Sequence, residues 1–255
     1  MRYFARIRYV GTAFHGFQFQ PNLRTVQGEL NGATEALFGV PCTITGCSRT
    51  DSGVHAEDFC LLIEPSDASA PLIPPNKLPV AIAPHLPSDL SLFAAQEAPA
   101  DFHPRYDALG KEYRYEIWNS SIGNPFCVDR AWHYPHYIDE DALKAMNEAA
   151  SHLVGEHDFY SFMAKGSTVT DTVRTVYTCF VEREGDYLRV TVRGDGFLYN
   201  MVRIIVGTLI DVAEKRILPQ DIPKILERKE RVAAGLTAPA CGLYLAKVFY
   251  SDNLF

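Results

Sequence analysis

The sequence predicts an α+β protein of two halves, each running strand, helix, strand, strand, helix, strand. Two observations carry that prediction. Runs with the two-residue period of a strand and runs with the 3.6-residue period of a helix succeed one another in the same order twice along the chain. The composition also suits a packed core: 255 residues, 47% hydrophobic and 22% charged, fill one large domain or two coupled subdomains.

The first half opens with residues 3–10, Tyr-Phe-Ala-Arg-Ile-Arg-Tyr-Val, in which charge and apolarity alternate. Alternation makes this a strand, whereas a signal peptide carries an uninterrupted apolar run. A helix over 25–38 follows, with Val26, Leu30, Ala33 and Leu37 at helical spacing. Strands near 42–47 and 58–64 are β-branched or apolar and flank a polar, glycine-containing loop. A short helix near 75–83 and a strand near 90–97 complete the unit.

The second half repeats the order. A strand over 111–118 leads to a helix over 139–154, which opens on Asp139, Glu140 and Asp141, acids suited to the positive end of a helix. Strands near 174–183 and 186–193 come next. A turn and cap at Gly194-Asp195-Gly196 then starts a helix near 197–214, and a short helix near 220–228 and a strand over 243–250 close the chain. Pro-rich spans 71–87 and 99–104 read as loops, the second marking a boundary between subdomains 1–104 and 105–255. Two split-βαβ units in series indicate an internal duplication, each half a four-stranded antiparallel sheet backed by helices. Joined edge to edge they form one extended sheet with a central cleft.

Composition removes several function classes. No apolar run approaches the ~20 residues that span a bilayer, so no membrane partner is expected. The six cysteines, at 42, 47, 60, 127, 179 and 241, form no Cys-x-x-Cys pair and have no histidine at zinc spacing. They read as reduced thiols of a cytoplasmic protein, with no metal site. No glycine-rich phosphate loop occurs, so no nucleotide cofactor is expected. The net charge of −7 weighs against a nucleic-acid partner, but its distribution softens this. Residues 1–56 carry five arginines against three acids, while 57–100 carry one lysine against six acids.

Three features point to chemistry. The loop Gly46-Cys47-Ser48-Arg49-Thr50-Asp51-Ser52-Gly53-Val54-His55-Ala56 presents one carboxylate, Asp51, with Arg49 two residues before it. A carboxylate kept ionised by a guanidinium on a loop between strands is suited to act as nucleophile or base. It also fits an ordinary turn in which Gly53 supplies positive φ. Arg203 lies in Asn200-Met201-Val202-Arg203-Ile204-Ile205-Val206-Gly207, a helix apolar on every side. Such a helix is buried, and a buried guanidinium needs a carboxylate partner unless it snorkels to solvent. Tyr113 shares a strand face with Tyr115 and Ile117, placing it either in the core or on a ligand.

The loop resembles the Arg-Thr-Asp-Ala-Gly-Val-His signature of the tRNA pseudouridine synthase I (TruA-type) family, with Ser52 where alanine is usual. The resemblance extends through Tyr9-Val10-Gly11…Gly16-Phe17-Gln18-Phe19-Gln20, Thr25-Val26-Gln27, Asp101-Phe102-His103-Pro104-Arg105-Tyr106 and Lys111-Glu112-Tyr113-Arg114-Tyr115. It continues through His157-Asp158-Phe159-Tyr160-Ser161-Phe162, Asn200–Gly207 and Gly242-Leu243-Tyr244-Leu245, spanning residues 9 to 245. It departs at Val10, at Phe17, and at Ala83-Pro84-His85, where the family usually carries Asp, Trp and Asn residues.

The resemblance implies the pseudouridine synthase fold, two RRM- or ferredoxin-like halves on one mainly antiparallel sheet. It also implies isomerisation of uridine to pseudouridine at tRNA positions 38, 39 and 40, by a homodimer without cofactor. It makes Asp51 the reacting carboxylate, Arg203 its ion-pair partner, and Tyr113 the ring that stacks on the uracil and takes its C5 proton. Arg49 then contacts phosphate or replaces the extruded base, and Leu243 lines the uracil. Arg24 and Arg105 are further expected RNA contacts. The alternative is a noncatalytic RNA-binding protein of two RRM-like units, but the aromatic signature of that module is absent. A hydrolase built on Asp51 lacks a second carboxylate at a recognisable spacing.

Overall fold

The computed structural model describes residues 1–251, which fall into two compact units. The first comprises Met1–Leu109 and the C-terminal stretch from Tyr244, and the second Gly110–Leu243. In chain order the first contributes β1 (Tyr3–Tyr9), α1 (Val26–Phe38), β2 (Cys42–Gly46), β3 (His55–Pro65), α2 (Leu78–Ile82) and β4 (Leu90–Glu97). The second contributes β5 (Gly110–Trp118), β6 (Trp132–His133), α3 (Glu140–Ser151), β7 (Gly155–Asp158), β8 (Val173–Glu184), β9 (Tyr187–Gly194), α4 (Met201–Ala213) and α5 (Ile222–Arg228). The last strand is β10 (Leu243–Phe249). The fold is α+β with mainly antiparallel pairing.

In the first unit β1 lies between β4 and β3, antiparallel to both. β3 is long enough to serve two further strands. Its Leu61–Pro65 end pairs with β2, and its first residues, His55 and Ala56, pair in parallel with Tyr244 and Leu245 of β10. This ladder, with the Leu109 N–H donating to Phe249 O, groups the last strand with the first unit. A division at residue 104 assigns that strand to the second half by sequence order, whereas hydrogen-bond partners decide where it sits. From Ala5 on β1 alternates, with Ala5, Ile7 and Tyr9 buried, Arg6 half-buried and Arg8 exposed, while Tyr3 and Phe4 before it are both buried.

Helix α1 is capped as its sequence foretells. Thr25 Oγ1 accepts from Gly28 N, and Gly39 ends the helix in the left-handed region at φ 70°. Its buried stripe runs through Val26, Leu30, Ala33, Thr34 and Phe38, so Phe38, not the expected Leu37, finishes it.

In the second unit the strand order is β5, β9, β8, β7, antiparallel throughout, with β6 parallel to the end of β5. Asp139 caps α3 by accepting from Ala142 N at 2.8 Å. Asn147 on α3 donates to Val181 O and accepts from Val181 N, at 2.8 and 2.9 Å. One side-chain amide thereby satisfies the stretch of β8 beyond β7, closing a strand edge. Two expectations change here. α4 begins at Met201 rather than near 197, and Asp195 is not its cap, since its carboxylate accepts from Thr175 N on β8. The residue before α4 is Asn200, at φ 59°, a conformation asparagine tolerates better than most residues.

Candidate active site

The loop 47–54 is clamped from both flanks. Cys47 N donates to Cys60 O, extending the β2–β3 ladder by one step. The segment after β1 then folds down on the loop: Phe17 N donates to Thr50 O at 3.2 Å, and Gly53 N donates to Phe14 O at 3.2 Å. Tyr9 Oη and Thr50 Oγ1 lie 2.7 Å apart and buried. Two glycines make this approach possible. A Cβ on Gly11 would stand 2.0 Å from Val54 O, and one on Gly16, at φ 83°, would stand 2.7 Å from Thr50 O. The turn itself is closed by Val54 N donating to Asp51 O, with Gly53 at φ 79°. Asp51 is half-buried, on a backbone held from both flanks by main-chain hydrogen bonds.

Two of the departures from the family pattern, Ser52 and Phe17, lie in or beside this loop. Ser52 is exposed, and its hydroxyl donates to Phe14 O at 3.3 Å, a contact compatible with the loop. Phe17 is buried and stacks on Phe59 with centroids 4.4 Å apart. His55 is a core histidine: it is buried, its Nδ1 accepts from Gly11 N at 3.0 Å, and its ring stacks on Tyr244 at 4.6 Å. Arg49, read from sequence as a neighbour able to hold Asp51 ionised, is exposed and makes no ion pair or hydrogen bond among the described residues.

Arg24 is more tightly engaged than sequence suggested. It is bidentate to Asp89 at 2.8 and 2.9 Å, donates to Glu29 at 2.7 Å, and lies over the Phe14 ring at 4.3 Å. His15 N donates to Arg24 O and Val10 N to Asp89 O, so this pair braces the segment covering the Asp51 loop. The Arg24 guanidinium holds the Asp89 carboxyl below its ordinary 3.8. A depressed carboxyl stabilises the fold fully above the unfolded value and loses that contribution as pH falls through the folded one. Asp89→Asn should therefore destabilise the fold at neutral pH, by no more than about 1 kcal/mol for so exposed a pair. The difference from the parent should vanish on acidification through that range, as thermal melts across pH will read. Arg105 is exposed, 6.0 Å over the Tyr106 ring.

Tyr113, Arg203 and Leu243 belong to the second unit, where Tyr115 and Arg203 hold the segment 238–239 just before Leu243. Tyr113 is buried to 7% exposure, opposite Val192 and edge-on to Phe197 at 5.0 Å, whereas Tyr115 and Ile117 on its face have no exposure at all. Tyr115 Oη donates to Pro239 O at 2.7 Å. Arg203 Nε donates to Ala238 O at 2.7 Å and Nη1 to Asn200 Oδ1 at 2.8 Å. It is half-buried rather than buried, and the segment that holds its Nε crosses α4 just beyond it. That crossing needs Gly207, where a Cβ would meet Leu236 O at 1.9 Å. Leu243 opens β10, and Gly242 before it sits so close to β5 that a Cβ would meet Glu116 O at 2.6 Å.

Among the described residues no group of three His, Cys, Asp or Glu gathers as a metal site, and no helix is long and apolar enough to cross a membrane. The six cysteines are free thiols.

A carboxylate fixed on an inter-strand loop, within an α+β fold of two units, describes a class that comparison with known proteins identifies. The family model described as tRNA pseudouridine synthase matches residues 5–107 and 149–251. A protein of Acetivibrio thermocellus named tRNA pseudouridine synthase A is 42% identical over 244 residues, covering 96% of this chain and 97% of its own. Proteins of the same name from Bacillus pumilus and Listeria innocua are each 42% identical, over 252 and 253 residues, covering 97% and 98% of this chain and 98% and 99% of theirs. The chain belongs to the tRNA pseudouridine synthase family.

Proposed function

We propose that this chain isomerises uridine to pseudouridine in tRNA, at positions 38, 39 and 40 of the anticodon arm, with Asp51 as the reacting carboxylate. The observation that carries the assignment is the Asp51 loop itself, held by backbone bonds on both sides and by two glycines that admit no side chain. Family membership supplies the substrate class.

The reaction breaks the N1–C1′ glycosidic bond, turns the uracil while it is bound, and joins C5 to C1′ as the C5 proton leaves and N1 takes one up. No electrons are gained or lost. Asp51 begins it by one of three routes: adding to uracil C6, attacking C1′, or removing a sugar proton to give a glycal. Arg203 is proposed as the cation that keeps this carboxylate ionised, and Tyr113 as the ring that stacks on the base and receives the C5 proton. Leu243 offers an apolar wall. The target base must leave its stack, at a cost of a few kcal/mol that is least near a loop. Arg49 and Arg105, exposed and without carboxylate partners among the described residues, suit phosphate contacts, and Arg24 acts through the brace it makes with Asp89. The working form is proposed as a cytoplasmic homodimer, the free thiols suiting a reducing compartment.

Transcripts carrying uridine at only one of positions 38, 39 or 40 test the site assignment, with pseudouridine mapped along the whole RNA. Modification confined to those three positions supports it, and modification elsewhere, with none there, refutes it. Affinity should fall with salt by about one log–log unit per phosphate contacted, and Arg105→Ala should reduce that slope with the bound-state rate unchanged. Salt-independent binding removes the polyanion as ligand.

A further inference from the structure

We propose that Tyr9 is a positioning residue for the reaction, setting Asp51 through the hydroxyl of Thr50; the inference rests on Asp51 being the reacting carboxylate. Tyr9 ends β1, and the register of β1 against β3 shifts between Ile7 and Tyr9, so that Tyr9 falls opposite Ala56. A bulge of this kind turns a side chain away from its regular place. Here it delivers the phenol to the loop. The Tyr9 ring is held between Phe14, 6.1 Å away at 70°, and Phe59, 5.9 Å away at 55°. With the ring so confined, its oxygen has one place to be, and Thr50 Oγ1 lies 2.7 Å from it.

Thr50 immediately precedes Asp51, and the two ends of Thr50 are held by different partners. Its carbonyl takes the Phe17 N–H and its side chain takes Tyr9. The carbonyl bond alone leaves the peptide free to rock about that contact, and the hydroxyl bond removes that freedom. Both residues are buried, at 3% and 7% exposure, so water does not readily replace either partner. Because a misplacement of about 1 Å at a reacting group costs on the order of a hundredfold in rate, a bond one residue away acts on the rate before it acts on binding.

Single-turnover rate, tRNA Kd and Tm are measured for Tyr9→Phe, Thr50→Val, their double variant and Thr50→Ser. The control is Thr34→Val, which deletes another buried hydroxyl, donating to Leu30 O at 2.8 Å within α1. Tyr9→Phe and Thr50→Val should each slow turnover about ten- to a hundredfold with Kd within about twofold. The double variant should be no slower than either single, as for one shared bond, and Thr50→Ser should keep most of the rate. Thr34→Val should lose Tm without losing rate. The proposal is overturned by a Tyr9→Phe rate within about twofold of the parent, by losses that multiply in the double variant, or by an equal rate loss in Thr34→Val. Asp51→Asn separates the premises. If it retains turnover, the Asp51 reading falls; if it is inactive while Tyr9→Phe runs at full rate, only the role of Tyr9 falls.

Discussion

Asp51→Asn should abolish turnover, by about 10⁴- to 10⁶-fold, the scale on which removing an essential reacting group acts. The substitution keeps the size and most of the hydrogen bonding of the side chain while removing its charge and the reacting oxygen. The fold should survive, because the loop is held through the main chain of Thr50, Asp51 and Gly53 and not through the carboxylate alone. Affinity for tRNA should be unchanged or slightly tighter, since one negative charge is withdrawn from beside a polyanion. Full binding with no turnover is the expected pairing. Loss of both together would mean that Asp51 shapes the surface and does not react.

The second large effect is expected at Arg203. Arg203→Met removes the donors to Ala238 O and Asn200 Oδ1, leaving a carbonyl and a left-handed asparagine without the group that engages them. On the proposed role of Arg203 as the cation of Asp51, activity should be lost, because a carboxylate deprived of its cation tends to take up a proton. The stability cost should fall below the roughly 3–5 kcal/mol of breaking a fully buried ion pair, because Arg203 is only half-buried. In Asp51→Asn with Arg203→Met the combined loss should be smaller than the sum of the singles, as for residues that interact. Strictly additive Tm losses would mean that the two do not pair, and a fully active Arg203→Met would remove the guanidinium from the reaction.

Periodicity made most of the elements legible, because a strand or helix that buries one face must write that face into the sequence. Residues 3–10, 25–38, 90–97 and 111–118 became β1, α1, β4 and β5 within a residue or two. What escaped has a physical reason in each case. β7 is Gly-Glu-His-Asp, with no apolar face to alternate, and it exists through its ladder with Val173–Val176. β6 is two residues long, too short for any period. The start of α4 moved because Asp195 found a partner on β8 instead of the helix end. The allocation of β10 to the first unit depends on a parallel pairing with His55 and Ala56, about 190 residues away in the chain, which local pattern does not encode.

The site was legible to a different degree. Asp51 stood out because signature and loop coincide, and Arg203 because a charge in an apolar helix demands explanation. Its hydrogen bond to Ala238 O depends on a segment that crosses α4 at Gly207, a contact between distant parts of the chain. Arg49 was misread as a partner of Asp51 because closeness in sequence says nothing of direction. Tyr9 and Thr50 gave no signal as a pair, since one is an ordinary strand aromatic and the other an ordinary loop hydroxyl until a bulge brings them together.

The central claim, that this chain makes pseudouridine, is tested most directly by incubating it with transcribed tRNA carrying tritium at uridine C5. Joining C5 to C1′ must expel that hydrogen, so the account predicts label released to water, about one tritium for each pseudouridine formed, and none with Asp51→Asn. Tight binding of the same tRNA with no release from the parent protein would contradict it and leave a noncatalytic RNA-binding protein in its place.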